Sequence, residues 1–463
     1  MANIRYSYTG KFTRTQSEMA WNIFMLMLTI GSIVLQSGML LSAVLICSNL
    51  LLMHKVRKNQ SLFLVVVFML MYSMPFFVHY LFGYNLSGYK YMNKEDYIFL
   101  VLLMHTIFYL TVNMMTDKRE FQSSRISINL KQRRSKYAYY FGVAGCFFCL
   151  VFGLRGANVL SRGGYTMAGS SGMGALYEYC PIFYVIAYFF CGDIKFRKIF
   201  LQLIFILYAG KCLLYGGRVP VISMGILFFM LFYSGRYKTR TIMLGFVVLY
   251  IGMAVYGDFR DDLHINQFSL SRIYGIYDLG GKNSFIGNNE TDCIYAAICL
   301  VSSIKTGFVD LLYRAKAAVY FIIRFIVPSS MINQDFNVIP YLQRNYTSIG
   351  GGGLVSAFWY FYFGWIGVIL AGMICGKVFS IIGNIKKYSS SSQIFALISL
   401  SLIPRWLTYS PEAMIKLPLY AIVVYFVMWI FFRGEKTRRK SEATCKKTWN
   451  EASQNGDIYF YKV

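Results

Sequence analysis

The sequence predicts an all-α polytopic membrane protein of about twelve transmembrane helices, with one large outer-face loop containing amphipathic helices. Three observations lead there. Charged residues make up only 14% of the 463, where soluble domains carry about a quarter. Apolar blocks recur along the chain, each roughly 16–22 residues long and so able to cross ~30 Å of hydrocarbon as a helix. The basic residues lie in short clusters between those blocks, as membrane topology requires. Lipid offers no partner to a free backbone amide, so helices are the form expected, and no β-barrel alternation is visible.

In chain order, spans are expected near Met19–Leu35, Gly38–Met53, Leu62–Phe82, Tyr97–Met115, Tyr137–Leu154, Gly174–Cys191, Ile199–Tyr215, Val219–Ser234, Thr241–Tyr256, Leu354–Gly376, Gln393–Pro404 and Ala413–Phe432. With the N-terminus inside, the loops assigned to the cytoplasm hold 30 of the 46 basic residues and 8 of the 20 acids, a net +22, which leaves +4 for the rest. Moving the register by one span inverts this bias. The positive-inside rule therefore places both termini in the cytoplasm, with an even number of spans. The chain divides into nine N-terminal helices over 1–256, a large periplasmic or extracellular loop over 257–353, three C-terminal helices over 354–432 and a basic cytoplasmic tail over 433–463. No cleavable signal peptide is evident, because the first apolar block runs straight into a second.

The same features exclude several functions. A net charge of +26 can mark a nucleic-acid binder, but clusters between apolar blocks belong to topology, so no nucleic acid is expected. No Gly-Lys-Ser/Thr phosphate loop is present, which argues against ATP hydrolysis. No His/Cys spacing suits zinc, and no metal or cofactor is expected. The ten Cys fall mostly within spans and read as small buried apolar residues.

The candidate chemistry lies outside. Gly257-Asp-Phe-Arg-Asp-Asp-Leu-His264 opens the long loop, followed by Arg272, Glu290 and Asp292; about Cys293–Val327 is apolar but interrupted by charges including Arg314 and Arg324. This second part reads as amphipathic helices lying on or dipping into the outer leaflet. Asp258, Glu290 and His264 are candidate bases; the competing readings are a solvated loop for the Asp258 cluster and a helix cap for Glu290. Gly216-Gly-Arg-Val-Pro220 joins two spans, Arg155 and Arg162 lie in a Gly-rich loop, and Arg344 precedes Ser348-Ile-Gly-Gly-Gly-Gly353. Arginine beside glycine suits a phosphate: the guanidinium is a planar fork of donors, and glycines such as Gly217, Gly351 and Gly352 let backbone N–H groups approach an anion. The helix starting near Val219 aims its positive dipole end at the same place. Arg218, Arg344 and Arg260 are therefore candidate catalytic residues, and Arg272, Arg162, Arg155 and Arg324 candidate substrate ligands.

Gly350-Gly-Gly-Gly-Leu-Val-Ser-Ala-Phe-Trp-Tyr360-Phe-Tyr-Phe-Gly-Trp-Ile-Gly367 resembles the re-entry span of Wzy-type oligosaccharide repeat-unit polymerases, the O-antigen and capsular polysaccharide polymerases. In that family a Gly-rich stretch and an aromatic residue, here Tyr360, precede a Phe-Gly-x-x-Gly turn. Gly216-Gly-Arg218 resembles the family's small-residue–Arg motif. An acid often found before the aromatic is missing, since Phe358 and Trp359 precede Tyr360. The resemblance implies metal-independent glycosyl transfer at the outer face of a bacterial cytoplasmic membrane, from a glycan on undecaprenyl diphosphate to a repeat unit on the same carrier. Arginines would hold the diphosphate; the lipid bilayer, a flippase and chain-length regulator proteins would be partners. Arg218 and Arg344 match the family's pattern best, whereas Arg260 and Arg272 are chosen by loop position. Alternatives are an O-antigen ligase-like glycan transferase and a lipid-linked glycan flippase or transporter.

Overall fold

The computed structural model describes residues 2–83, 94–116, 121, 135–154, 174–259, 288–328, 331, 333–346 and 352–431; for 2–17, 254–255, 257–259, 288–289 and 334 it describes the backbone alone. The described chain is helical, with no strand among the described residues. In order it forms α1 (Ala2–Val34), α2 (Gly38–Val56), α3 (Gln60–Met71), α4 (Met74–Phe82), α5 (Glu95–Met115), α6 (Lys136–Phe152), a 3-10 turn (Gly174–Tyr179) leading into α7 (Cys180–Phe190), α8 (Lys195–Leu214) and α9 (Arg218–Phe228). Then come α10 (Thr239–Phe259), α11 (Asn288–Lys305), α12 (Leu311–Ile323), α13 (Val338–Asn345), α14 (Val355–Gly383), α15 (Ser390–Ser401), the single turn α16 (Ile403–Trp406) and α17 (Pro411–Phe431). Starts are set locally. The side chains of Ser37, Asn59, Ser135, Asp310 and Ser389 each accept a backbone N–H from the first turn that follows, which satisfies a donor the helix cannot.

Among the described residues, five helical stretches are long and apolar enough to cross a membrane: Gly38–Val56, Gln60–Phe82, Glu95–Met115, Val355–Gly383 and Pro411–Phe431. Five more apolar stretches are shorter, and Lys195–Leu214 and Ser390–Ser401 fall in neither group. The outer surfaces fit a membrane solvent. On α8, Phe196, Ile199, Leu203, Ile206 and Leu207 are exposed; on α17, Val423, Phe426, Val427, Ile430 and Phe431 are. Continuous apolar surface of this extent has no stable place in water.

The core is built on α5 and α14, the most extensively packed pair. Gly372 and Gly376 lie one turn apart on α14. A Cβ at 372 would stand 2.9 Å from the Phe108 carbonyl oxygen, and one at 376 would stand 2.5 Å from the Met115 Cβ. Small residues four apart let two membrane helices approach to backbone contact.

Three features differ from the sequence reading. First, α11 does not lie on a leaflet: residues from Cys293 to Ser303 are buried on every side. Its small residues (Ala296, Ala297, Cys299, Ser302, Ser303) leave no bulky polar face, so neighbours close around it. Second, α12 does keep an apolar outer face (Leu311, Leu312, Val319, Ile322), but its other face packs against α14. Arg314 and Phe321, two turns apart on α12, both meet the stretch 359–363 of α14. Third, α14 is longer than the expected Leu354–Gly376 span and is broken at Gly364, whose φ of 64° and ψ of −151° are non-helical. That conformation is nearly confined to glycine. The break frees carbonyls in the preceding turn, and Arg314 takes two of them: its Nε donates to the Phe361 oxygen at 2.8 Å and its Nη2 to the Tyr360 oxygen at 3.1 Å.

Other cations do similar work. Lys55 donates to the carbonyls of Asn113 (2.6 Å) and Thr116 (3.2 Å) at the end of α5. Lys211 donates to those of Leu150 and Gly153 at the end of α6. In each case a cation meets the negative end of a helix. Lys211, which in sequence reads as an in-span charge able to snorkel, is instead a helix cap.

Candidate functional site

The turn between α8 and α9 positions the first site residue. Gly216, at φ 80°, donates its N–H to the Leu213 carbonyl at 2.9 Å, and Gly217 donates to that of Cys212 at 2.8 Å. This paired closure ends a helix when the penultimate residue is left-handed, a place suited to glycine. The chain re-enters helix at once, so Arg218 is the first residue of α9 and Gly217 its N-cap. Pro220 follows within the first turn, where its missing N–H is no loss. Gly217 is buried and closes the turn.

Arg218 is half-buried and donates from Nη1 to the Met253 carbonyl of α10 at 3.2 Å. Its charge acts on Tyr250, also on α10, and on Glu290 in the first turn of α11. The Tyr250 hydroxyl donates to Glu290 Oε1 at 3.2 Å. Glu290 is only 8% exposed, so burial pushes its carboxyl above the usual carboxylate range. Its own backbone N–H, the Tyr250 hydroxyl and the Arg218 guanidinium hold the rise back, while Asp292 adds to it. A carboxylate whose proton is held more tightly than usual suits a general base, and a guanidinium whose field reaches it can hold an anion. One turn along α11, Cys293 is fully enclosed, and burial pushes its thiol up to about 12. Gly352 lies against it: a Cβ there would stand 3.2 Å from the Cys293 Sγ and 3.1 Å from the Thr408 oxygen. Arg218, Gly217, Glu290 and Gly352, predicted separately, thus gather around the starts of α9 and α11.

Arg344 and Arg324 belong to a second group. Arg344 is exposed on α13, ion-paired with Asp335 at 3.3 Å and bonded to the Pro340 carbonyl of its own helix. It makes no contact with Glu290 or Arg218, so the two best-matched arginines do not converge. Arg324 is 4% exposed and donates from Nη1 to Asn337 Oδ1 at 3.1 Å, while its Nε has no partner among the described residues. Both arginines act on the Tyr313 phenol, which lies between them electrostatically. Tyr360 packs edge-on against Trp365, and Arg314 occupies its carbonyl. Asp258 lies in the last turn of α10 with its side chain outside the described residues; Arg260, His264, Arg272, Arg155, Arg162 and Gly351 lie outside them altogether.

Sequence reasoning missed Tyr250 and a third group. Arg405, in α16, donates from Nη2 to Glu178 Oε1 at 2.5 Å, and the Tyr177 hydroxyl donates to the same oxygen at 3.0 Å. Lys416 does not snorkel outward: it is 7% exposed, among the charges of Glu412, Glu178 and Arg324. The available signal was the acid itself, since an ionisable residue inside an apolar block is a functional pointer. Among the described residues, no three His, Cys, Asp or Glu side chains converge to hold a metal ion. Comparisons with protein-family models, with curated proteins and with solved structures give no match to this chain.

Proposed function

We propose that this chain is a membrane glycosyltransferase that polymerises undecaprenyl-diphosphate-linked oligosaccharide repeat units into surface polysaccharide. In this reading it sits in a bacterial cytoplasmic membrane with twelve crossings, both termini in the cytoplasm and the Arg218 end facing out. The observation that carries the reading is the trio Arg218, Tyr250 and Glu290: a guanidinium at a helix N-terminus, bonded to the helix of Tyr250, whose charge reaches the buried carboxylate that Tyr250 holds. An acceptor hydroxyl attacks the anomeric carbon of the donor glycan. The bond from that carbon to the diphosphate oxygen breaks, Glu290 takes the hydroxyl proton, and undecaprenyl diphosphate leaves with the electron pair. Arg218 and the dipole of α9 stabilise the charge that grows on the leaving oxygen, a preorganised effect of several kcal/mol in enzymes of many kinds. Arg324 and Arg344, in a separate group, are assigned to holding the substrate.

The test is a glycan gel. Arg218→Ala inserts normally and yields single repeats in place of long chains; polymer of wild-type length from a well-inserted variant rules the reading out. A ligase differs in the deletion strain, where finished polymer stays on the carrier. The break in α14 favours one further reading, a flippase or transporter, because such proteins use interrupted helices. Purified protein that elongates lipid-linked repeats in detergent rules out a pure transporter.

A further inference from the structure

Arg218 stands at the head of an apolar stripe. On α9, Ile222, Gly225 and Phe229 follow it at helical spacing and so share its face. All three are half-buried, whereas Ser223, Met224, Ile226 and Leu227, on the other faces, are buried. Arg218 bonds to Met253 of α10, so the stripe looks toward α10. Met253, Tyr250 and Phe246 line the facing side of that helix and are again half-buried. The two helices are consecutive, yet α10 packs chiefly on α3 and not on α9. A Cβ at Gly225 would meet nothing within 4 Å among the described residues. An apolar groove therefore runs down from Arg218 between α9 and α10.

We propose that this groove holds the polyprenyl chain of the lipid-linked substrate, with its diphosphate at Arg218; this rests on the polymerase reading for the identity of the lipid. Charge is the first argument. One cation at the outer end, with apolar side chains below it, is complementary to an amphiphile with an anionic head and an apolar tail. Length is the second. Arg218 to Phe229 rises about 16 Å, close to half of the ~30 Å hydrocarbon core and so to the depth of one leaflet. Shape is the third. An isoprenoid chain carries methyl branches and needs more width than a straight acyl chain, and the open space beside Gly225 supplies it.

The groove also gives the substrate a way in. Leu244, Val248 and Leu249, on the far side of α10, are exposed, so α10 is a peripheral helix with lipid beyond it. A tail enters sideways from the outer leaflet, and the diphosphate comes to rest where the charge of Arg218 already reaches Glu290.

The test uses full-length protein in phosphatidylcholine nanodiscs, with undecaprenyl diphosphate as the probe and binding read by native mass spectrometry. Wild type binds it, and an equal amount of phosphatidylglycerol, also anionic at its head, does not displace it. Gly225→Leu fills the groove and raises Kd about tenfold or more, while Gly225→Ala raises it about twofold. Gly245→Leu makes the same change on the exposed side of α10, where a Cβ also meets nothing, and leaves Kd within about twofold. In elongation assays Gly225→Leu raises KM for the lipid-linked donor and leaves kcat within about twofold, since the tail is held equally in ground and transition states. Equal binding by wild type and Gly225→Leu, an equal loss in Gly245→Leu, displacement by phosphatidylglycerol, or no binding by wild type overturns the groove. A dimer mass for wild type that Gly225→Leu returns to a monomer puts a second copy there and overturns it too. Wild type that binds the probe as described but never elongates lipid-linked repeats overturns the polymerase reading and leaves the groove standing. A melting curve for each variant separates misfolding from lost binding, and Gly225→Ala, which adds one methyl in open space, serves where Gly225→Leu fails to fold.

Discussion

The molecule holds its inward-facing cations in two ways. Lys55, Lys211 and Arg314 each end on a pair of backbone carbonyls at a helix terminus or break. Arg218, though bonded to the Met253 carbonyl, also acts on the buried carboxylate of Glu290, and Arg405 is ion-paired with the half-buried Glu178. A carbonyl pair is neutral and fixed in the backbone, so the cation it holds has nothing to exchange. A carboxylate can be protonated or displaced, so the cation beside it is available to an anionic ligand. The first arrangement holds helices together, and the second suits chemistry.

That contrast can be broken by substitution. The largest effect is expected at Glu290. Glu290→Gln lowers kcat by about 10²–10⁴, the usual contribution of a general base. Its pH dependence has a definite sign. The base must be ionised, and its pKa is raised, so wild-type activity is lost as pH falls through a value above the ~4.3 of free glutamate; the variant lacks that limb. The folded state also holds this proton more tightly than the unfolded chain. The charge therefore costs stability above the folded pKa, and Glu290→Gln should melt no lower than wild type at pH 7. A variant that is inactive because it melts early would remove Glu290 from the chemistry.

Next comes Arg218→Ala, with a fall of about 10²–10³ in kcat, the loss seen when one oxyanion donor is removed. Arg218→Lys should recover little, because a point charge lacks the planar fork. Full activity in the lysine variant would reduce the role of Arg218 to simple charge. The smaller effects belong to the capping cations. Lys55→Met removes the donor from the Thr116 carbonyl and leaves the Asn113 carbonyl only the long Thr116 N–H bond of 3.4 Å, at about 1–3 kcal/mol of stability, and kcat per folded molecule stays within about twofold. Gly364→Ala strains the α14 break by about 1–3 kcal/mol, read as a lower melting temperature in detergent. If Lys55→Met abolished transfer without lowering the melt, the division between the two kinds of cation would fail.

Much of this was legible in sequence, for physical reasons that can be named. Gly216-Gly-Arg-Val-Pro220 announced a shaped turn because glycine and proline restrict the backbone locally, and the structure has a helix end and a helix start there. Glu290 was legible as an acid opening a helix, but its burial was not. Burial depends on α11 being encased, and a run of Ala, Cys and Ser reads as mildly amphipathic until its neighbours are known. Tyr250 was hidden because an aromatic residue in an apolar block looks the same whether it faces lipid or a carboxylate. The Glu178–Arg405 pair joins residues 227 positions apart, beyond any periodicity. The close packing of α14 on α5 was visible in principle, in the spacing of Gly372 and Gly376, and went unread.

The cap on the α14 break has a consequence for how the protein is made. Val355–Phe363, the part of α14 before Gly364, is about 14 Å long, too short to settle across a bilayer as a helix by itself. Arg314 precedes Phe361 by 47 residues. It therefore leaves the ribosome before the half-helix whose carbonyls it caps. For this break the order of residues along the chain is thus also an order of assembly, in which the freed carbonyls meet a donor synthesised before them.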